Sequence, residues 1–219
     1  MVLAAEATGL TVDDLLAEVG LERAALMDSE LRIPFDDVLA VWDALRARTG
    51  NPTLQLEAPS FLPVGAYKVI EYLIDTSPTV GGAMERFARF FRLISDHVMI
   101  SVVPGETEFE LEITLADGRV APPVFVDYTF SALLTRTRAR TRPDLTVKRV
   151  EMCQPEPTDP SPYERLFGAS VAFGSLSDRL CFSAQEWESP TERGDEALVR
   201  LIEDHASILA QRLPVPEEG

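Results

Sequence analysis

The stretch SPTVGGAMERFARFFRLISD, residues 77–96, carries the signals of a helix start, a helix body and a helix end. Ser77 can act as the N-cap, because its hydroxyl can accept a hydrogen bond from a free backbone N–H group, and Pro78 suits the first helical position. Apolar residues recur along the stretch at intervals of four and three: Val80, Met84, Phe87, Phe91 and Ile94. This spacing predicts a helix with one buried face. That face would pack in the core, and it could also line a ligand cavity with Arg92 at its rim.

Immediately after this helix the period of the apolar residues changes from about 3.6 to 2. Val98, Ile100 and Val102 alternate with more polar residues, Pro104-Gly105 provides a turn, and residues 109–115 alternate with glutamates. The pattern predicts a β-hairpin with one buried face and one acidic, solvated face. A slip of one residue would bury three glutamates, so the register is firmly set.

The remaining segments complete the predicted fold. Short helices are expected before residue 77, over residues 11–19, 21–27, 34–49 and 66–75. A largely apolar helix follows the hairpin over 124–140, then strands at 145–152, 171–173 and 180–182, and a final helix after Asp195. The fold class is therefore α+β, with N-terminal helices followed by a roughly five-stranded, mainly antiparallel sheet packed against helices.

The composition limits the function. The 219 residues include 20 Lys and Arg against 36 Asp and Glu, a net charge of −16, which argues against direct nucleic-acid binding. The arginines at 136, 138, 140 and 142 form one basic patch, but cations at a helix end also complement the helix dipole. No apolar run reaches the roughly 18 residues of a membrane span, and no signal peptide is evident, so we expect a cytoplasmic protein that does not enter a membrane.

The sequence gives little support to catalysis. It contains no GxSxG, HExxH, P-loop or GxGxxG motif, and its only histidines are His97 and His205. Cys153 and Cys181 have no metal-binding spacing and no neighbouring basic activator. Asp127 is an unexpected carboxylate in an apolar helix, where it could serve the helix dipole or face a ligand. We therefore expect no enzyme activity, no catalytic residue, no metal and no cofactor.

A surplus of aromatic residues with a few polar tips favours a small-molecule pocket. We take Tyr67, Tyr72, Phe87, Phe91, Arg92 and Tyr128 as the candidate ligand-binding residues, with Trp42 as a further aromatic that could border the pocket. The apolar loop around Phe61 and Leu62 either covers the mouth of such a cavity or packs in the core.

Three stretches carry a resemblance to a known family. LRIPFDDVLAVWDALRARTGNP (31–52), IDTSPTVGGAMERFARFFRLISD (74–96) and SPYERLFGASVAFGSLSDRLCFSAQEW (161–187) resemble, in this order, the N-terminal sensor domain of the AraC-type transcription regulators with an arabinose-binding-type, non-cupin sensor. The sequence departs from the family pattern at Gly81-Gly82, where relatives usually have one glycine followed by an acidic residue. Two glycines are costly inside a helix, so close packing is expected there.

The resemblance implies a domain that binds a small-molecule effector and forms a homodimer, over residues 1–213. Residues 214–219 would begin a linker to a C-terminal helix-turn-helix domain that is absent from this chain, and DNA would be bound only through that domain. We expect the dimer interface on the apolar stripe of the last helix, at Leu198, Ile202, His205 and Leu209. The alternative is a protein–protein interaction or oligomerisation domain with no small-molecule ligand.

Overall fold

The computed structural model of the chain describes residues 1–23 and 33–213. Its helices are α1 (Val2–Ala7), α2 (Val12–Glu18), α3 (Phe35–Thr49), α4 (Leu54–Glu57), α5 (Val69–Thr76), α6 (Val80–Phe90), α7 (Pro123–Arg140), α8 (Ser161–Phe167), α9 (Ala184–Trp187) and α10 (Glu196–Gln211). Short 3₁₀ helices follow α4 at Ala58–Phe61 and α6 at Phe91–Leu93. Most of the helix predicted at 21–27 and the expected linker at 214–219 lie outside the described residues.

Five strands form a single sheet in the order β1-β2-β5-β3-β4. The strands are β1 (Val98–Pro104), β2 (Glu108–Leu115), β3 (Arg149–Met152), β4 (Val171–Phe173) and β5 (Asp178–Ser183). Neighbouring strands are antiparallel except β3 and β4, which are parallel. The prediction of an α+β fold with N-terminal helices and a mainly antiparallel five-stranded sheet is confirmed.

The predicted hairpin has the expected register, with Val98 opposite Leu115 and Pro104 opposite Phe109. Its apolar side chains join a main core that also contains residues of α5, α6, α7 and α10. A second, smaller core lies among the N-terminal helices, around Trp42 and Leu45.

The glutamates of β2 lie on the outer face of the sheet, where Arg179 of the neighbouring strand β5 and Arg149 of β3, the next strand beyond it, neutralise them. Arg149 pairs with Glu108 at 2.5 Å and with Glu110 at 3.1 Å, and Arg179 pairs with Glu112 at 3.3 Å. The face is therefore an ion-paired surface rather than a purely acidic one. The alternation within β2 cannot predict this, because the cations come from strands distant in sequence.

Helix α6 begins later than its sequence predicts. Thr79 is the N-cap, and its Oγ1 accepts a hydrogen bond from Gly82 N at 3.1 Å. The hydroxyl of Ser77 instead donates to the carbonyl of Leu73 at 2.6 Å, in the last turn of α5. At the other end the chain tightens into a 3₁₀ turn, which leaves Ile94 39% exposed. The predicted apolar face is otherwise buried, at Val80, Met84, Phe87 and Phe91.

Gly81 provides the close packing that its position suggested. A Cβ atom at residue 81 would overlap with the indole ring of Trp187, which is buried and stacked on Phe109 with ring centroids 4.6 Å apart. At the adjacent Gly82, a Cβ atom would meet only the far end of Arg86, at 2.9 Å from Nη1, and the hydroxyl of Thr79 at 3.2 Å.

A buried carboxylate ties the N-terminal helices to the rest of the domain. Asp127 of α7 is 1% exposed and accepts hydrogen bonds from Gln55 at 2.9 Å, Gln154 at 2.7 Å and Tyr163 at 2.7 Å. Burial raises the pKa of Asp127 from 3.8 to about 6, against the opposing effect of these three donors. The carboxylate therefore joins α4, α7, α8 and the loop after β3, and the dipole explanation offered by its sequence position is not needed.

We predict that Gly81→Ala lowers the free energy of unfolding by about 1–3 kcal/mol, because the new methyl group overpacks against a fixed ring. At roughly 2–4 °C per kcal/mol for a chain of this size, thermal unfolding followed by circular dichroism will resolve the change. Gly82→Ala is the matched control. It should be neutral or stabilising by up to about 1 kcal/mol, since Arg86 can move and alanine favours a helix. Equal losses from both substitutions would contradict the packing argument.

Asp127 should make stability depend on pH. Its folded pKa lies above its unfolded value, so the proton is bound more tightly in the folded protein, and this stabilisation is present below about pH 4 and lost as the pH rises through about 6. When the pH is raised from 5 to 7.5, the free energy of unfolding of the parent should fall by roughly 1–2 kcal/mol relative to that of Asp127→Asn. Urea denaturation across this range measures the difference, with Asp36→Asn on the exposed surface of α3 as the control. A parallel pH dependence of parent and Asp127→Asn would show that Asp127 is not the group responsible.

Candidate functional site

A cavity opens between α5, α6 with its following 3₁₀ turn, and α7. It encloses about 570 Å³ of empty space when the solvent in its open mouth is counted. The apolar wall comes from one face of each helix: Ile70 and Ile74 of α5, Phe87, Phe91 and Ile94 of the α6 segment, and Phe125, Ala132 and Leu133 of α7. Spacings of three and four residues place these side chains in line along each helix.

Two phenol groups meet at the wall. The hydroxyls of Tyr67 and Tyr128 are 2.8 Å apart and share one hydrogen bond. Burial raises the pKa of both phenols, so both remain protonated and neutral at physiological pH.

A buried group of four charges borders the same cavity. Glu71, which is 2% exposed, pairs with Arg136, and Asp75 accepts a hydrogen bond from Arg140 Nε at 2.6 Å. Arg140 also approaches Glu71, with 3.5 Å between Nε and Oε1. The hydrogen bond to Asp75 raises the pKa of Arg140. Two carboxylates and two guanidinium groups thus neutralise one another between α5 and α7.

The loop before α5 is fastened to this charged group. Arg136 donates to the carbonyl oxygens of Leu62 at 2.7 Å and Pro63 at 2.9 Å, and Glu71 accepts from Gly65 N at 2.8 Å. The loop ends at Lys68, whose φ of +50° is unusual for a residue other than glycine. Residues 59–65 are not part of the cavity wall, and the loop reaches the cavity only through Tyr67, which follows it and lines the wall.

Four of the six candidate ligand-binding residues line the cavity: Tyr67, Phe87, Phe91 and Tyr128. Tyr72 and Arg92 do not. Tyr72 is 45% exposed, and Arg92 Nε donates to Asp96 Oδ1 at 3.1 Å one helical turn away.

The cationic residue at the cavity is Arg136, which the sequence reading assigned to a basic patch. One sequence feature indicates this role: Phe125, Tyr128, Ala132 and Arg136 follow one another at helical spacing, so Arg136 lies at the end of an apolar face of α7. Trp42 lies behind the wall in the N-terminal core, with its ring centroid 5.3 Å from that of Tyr128.

The other arginines of the patch also serve the fold. Arg138 donates to the carbonyl oxygens of Leu145 at 3.0 Å and Phe167 at 3.0 Å, and Arg142 pairs with Asp144 at 3.2 Å. These contacts engage the guanidinium groups within the domain. Within residues 1–23 and 33–213, no group of three His, Cys, Asp or Glu side chains could hold a metal ion, and no helix is long and apolar enough to cross a membrane.

The terminal helix α10 has two apolar sides. Val199 and Ala206 are fully buried, and Ile202 packs against the main core. The opposite side is exposed, at Leu198, Leu201, His205 and Ile208. Of the predicted interface residues, Leu198 and His205 therefore lie on the exposed stripe, whereas Ile202 faces inward and Leu209 is half-buried.

Helix α10 is attached directly to the two helices that wall the cavity on one side. Glu203 pairs with Arg86 at 3.1 Å and also with Arg89, both on α6. The backbone N–H of Asp195 donates to the carbonyl of Thr76 at the end of α5, at 2.9 Å.

Comparison with known proteins shows the family to which the chain belongs. The ornithine utilization regulator of Pseudomonas aeruginosa is 25% identical over 227 residues, covering 93% of this chain, and the chain spans only 64% of that relative's length. The crystal structure of the transcriptional regulator CdpR from Pseudomonas aeruginosa shares the fold, with a TM-score of 0.57 at 16% sequence identity. The match covers 92% of this chain and 71% of the CdpR chain. A family model described as the arabinose-binding domain of AraC transcription regulators, N-terminal, matches residues 9–191. The resemblance seen in the sequence is thereby confirmed, and this chain belongs to the family of N-terminal, arabinose-binding-type domains of AraC transcription regulators.

Proposed function

We propose that this chain is the effector-binding and dimerisation part of an AraC-type transcription regulator. A small organic effector would occupy the cavity between α5, α6 and α7. The observation that carries the proposal is that α5 and α6 form the cavity wall and also hold α10, the helix with an exposed apolar stripe.

The cavity has the character of a ligand site. Its wall is largely aliphatic and aromatic, with a few polar groups concentrated at the tyrosine pair and the Glu71–Arg136 pair. Such pockets bury most of a small ligand and orient it through a small number of polar contacts. The ligand residues proposed here are Tyr67, Phe87, Phe91, Tyr128 and Arg136, with Arg136 replacing Arg92 as the cation of the site.

The proposed signal is a shift in population between arrangements of α10. A ligand can shift an equilibrium only by its difference in affinity for the two states. Because Glu203 is held by α6 and Asp195 by α5, an effector that favours one spacing of α5 and α6 also favours one position of α10.

The exposed stripe of α10 is proposed to pair with the same stripe of a second copy. Leu198, Leu201, His205 and Ile208 follow spacings of three, four and three, the repeat that two helices use to pack along a seam. Leu201 is 68% exposed and Ile208 is 48% exposed, so a second helix would cover a sizeable apolar area.

In the longer regulator, a helix-turn-helix domain following this chain would bind DNA, and the regulator would act in the cytoplasm. The net charge of −16 is consistent with leaving DNA contact to another domain. Since the curated relative is named as an ornithine utilization regulator, ornithine belongs in the panel of compounds tested on this chain.

A thermal-shift panel of metabolites, including ornithine, tests effector binding. A compound present at 100 times its dissociation constant should add about 2.7 kcal/mol to the free energy of unfolding. Ala132→Phe should abolish the shift by filling the cavity, and Ala132→Leu serves if the larger residue prevents folding. Ala47→Phe, on the exposed side of α3, is the matched control. If no compound stabilises the parent, the alternative of an interaction domain without a ligand is favoured.

Sedimentation velocity at micromolar concentration tests the interface. The parent should sediment as a dimer, and Leu201→Lys should sediment as a monomer because a charge at the centre of the seam cannot be buried without a partner. Leu176→Lys, at a residue 97% exposed in the turn before β5, should remain dimeric. A monomeric parent, or an unchanged Leu201→Lys dimer, would exclude this interface.

A further inference from the structure

We infer, building on the proposed function, that the cavity takes a neutral, mostly apolar molecule that presents one hydrogen-bond acceptor such as a carbonyl oxygen. The inference rests on the charges and hydrogen-bond donors of the wall.

The charges at the cavity are already balanced. Glu71 and Asp75 face Arg136 and Arg140, two negative groups against two positive ones, within a region that is almost fully buried. A charged group on the ligand would therefore have no free counter-ion at the cavity. To reach Arg136, a carboxylate would have to displace Glu71, and to reach Glu71 an ammonium group would have to displace Arg136. Either displacement would leave a buried charge unpaired, which is strongly unfavourable.

The ion pair between Glu71 and Arg136 is also bonded to the backbone of the preceding loop. The remaining hydrogen bonds of Glu71 and Arg136 go to the backbone of residues 62–65. Displacing either side chain would also release this loop. A neutral ligand can enter the cavity without breaking these contacts.

The polar groups that remain available at the wall can each donate a hydrogen bond. The hydrogen bond between Tyr67 and Tyr128 uses one of two phenol hydrogens, and neither oxygen has another hydrogen-bond partner in the described part of the chain. Arg136 Nε is likewise buried with no partner among the residues that the structure describes. The tyrosine pair can donate its remaining hydrogen or accept, whereas Arg136 Nε can only donate, so a ligand acceptor is the atom that complements both groups.

The rest of the wall is apolar, which indicates that the rest of the ligand is apolar as well. Phe87 and Phe91 pack edge to face, with ring centroids 5.2 Å apart, opposite the aliphatic side chains of α5 and α7. A hydrocarbon chain or ring would fill this part, and its burial would supply most of the binding free energy. The acceptor would then fix its direction towards the tyrosine pair.

Three probes with the same eight-carbon skeleton separate the ligand classes: 2-octanone, octanoate and octylammonium. Isothermal titration calorimetry at pH 7.5 should give 2-octanone at least tenfold tighter binding than either charged probe. The double substitution Tyr67→Phe/Tyr128→Phe should weaken 2-octanone about three- to tenfold, the scale of one hydrogen bond. Each single substitution serves as the second variant if the double variant does not fold. Tyr72→Phe, which removes a phenol outside the cavity wall, should leave the affinity unchanged.

The outcomes distinguish this inference from the proposed function. If octanoate or octylammonium binds as tightly as 2-octanone, and Ala132→Phe abolishes that binding, the neutral class is wrong while the effector site stands. If 2-octanone binds but the double tyrosine variant binds it equally well, the acceptor contact is wrong. If none of the three probes binds and the metabolite panel also gives no shift sensitive to Ala132→Phe, both the ligand class and the effector site are overturned.

Discussion

The buried ion pair between Glu71 and Arg136 is the interaction on which the cavity depends. It joins α5 to α7 across the cavity, and each partner uses its remaining hydrogen bonds to hold the loop at residues 62–65. Removing one partner would leave a buried charge and several backbone groups without partners, a loss of about 3–5 kcal/mol by the usual cost of breaking such a pair. A hydrophobic pair of the same size could be equally stable, so stability alone does not account for charges here. The ion pair contributes structural specificity, because its hydrogen bonds fix the loop and both helices in one arrangement.

A second constraint positions α6, the other wall helix. Gly81 lies against Trp187, and this close approach requires the absence of a side chain. Trp187 in turn stacks on Phe109 of β2 and contacts Phe182 of β5, so the sheet determines how near α6 can come. The two walls of the cavity are therefore set by different parts of the fold, α5 and α7 by charge and α6 by packing on the sheet.

Much of this architecture could be predicted from local sequence, and the exceptions share a cause. The hairpin register and the buried face of α6 followed from periodicity, since each depends on residues close together in the chain. The N-cap was misplaced because Ser77 finds its acceptor in the preceding helix, at Leu73, and leaves the cap to Thr79. The cation of the cavity was missed for a similar reason. Arg136 is 65 residues from Glu71, and no local pattern distinguishes an arginine that pairs across the core from one that serves a helix end. Arg92, the residue that local reasoning favours, has Asp96 within one turn.

In the proposed mechanism, the contacts of α10 with the cavity helices are what would allow the domain to act as a sensor. A helix that packed only on the sheet would be insensitive to the cavity, because the sheet is held by its own ladder of hydrogen bonds and ion pairs. Helix α10 instead begins at a hydrogen bond to the end of α5 and is held midway by two arginines of α6. Its inward side, at Val199, Ile202 and Ala206, packs into the same main core as α5 and α6. In the proposed mechanism, the coupling free energy is therefore limited by how far α5 and α6 separate around a ligand. A cavity whose charged groups are already paired with one another will respond mainly to the size and shape of an apolar ligand, which most directly set that separation.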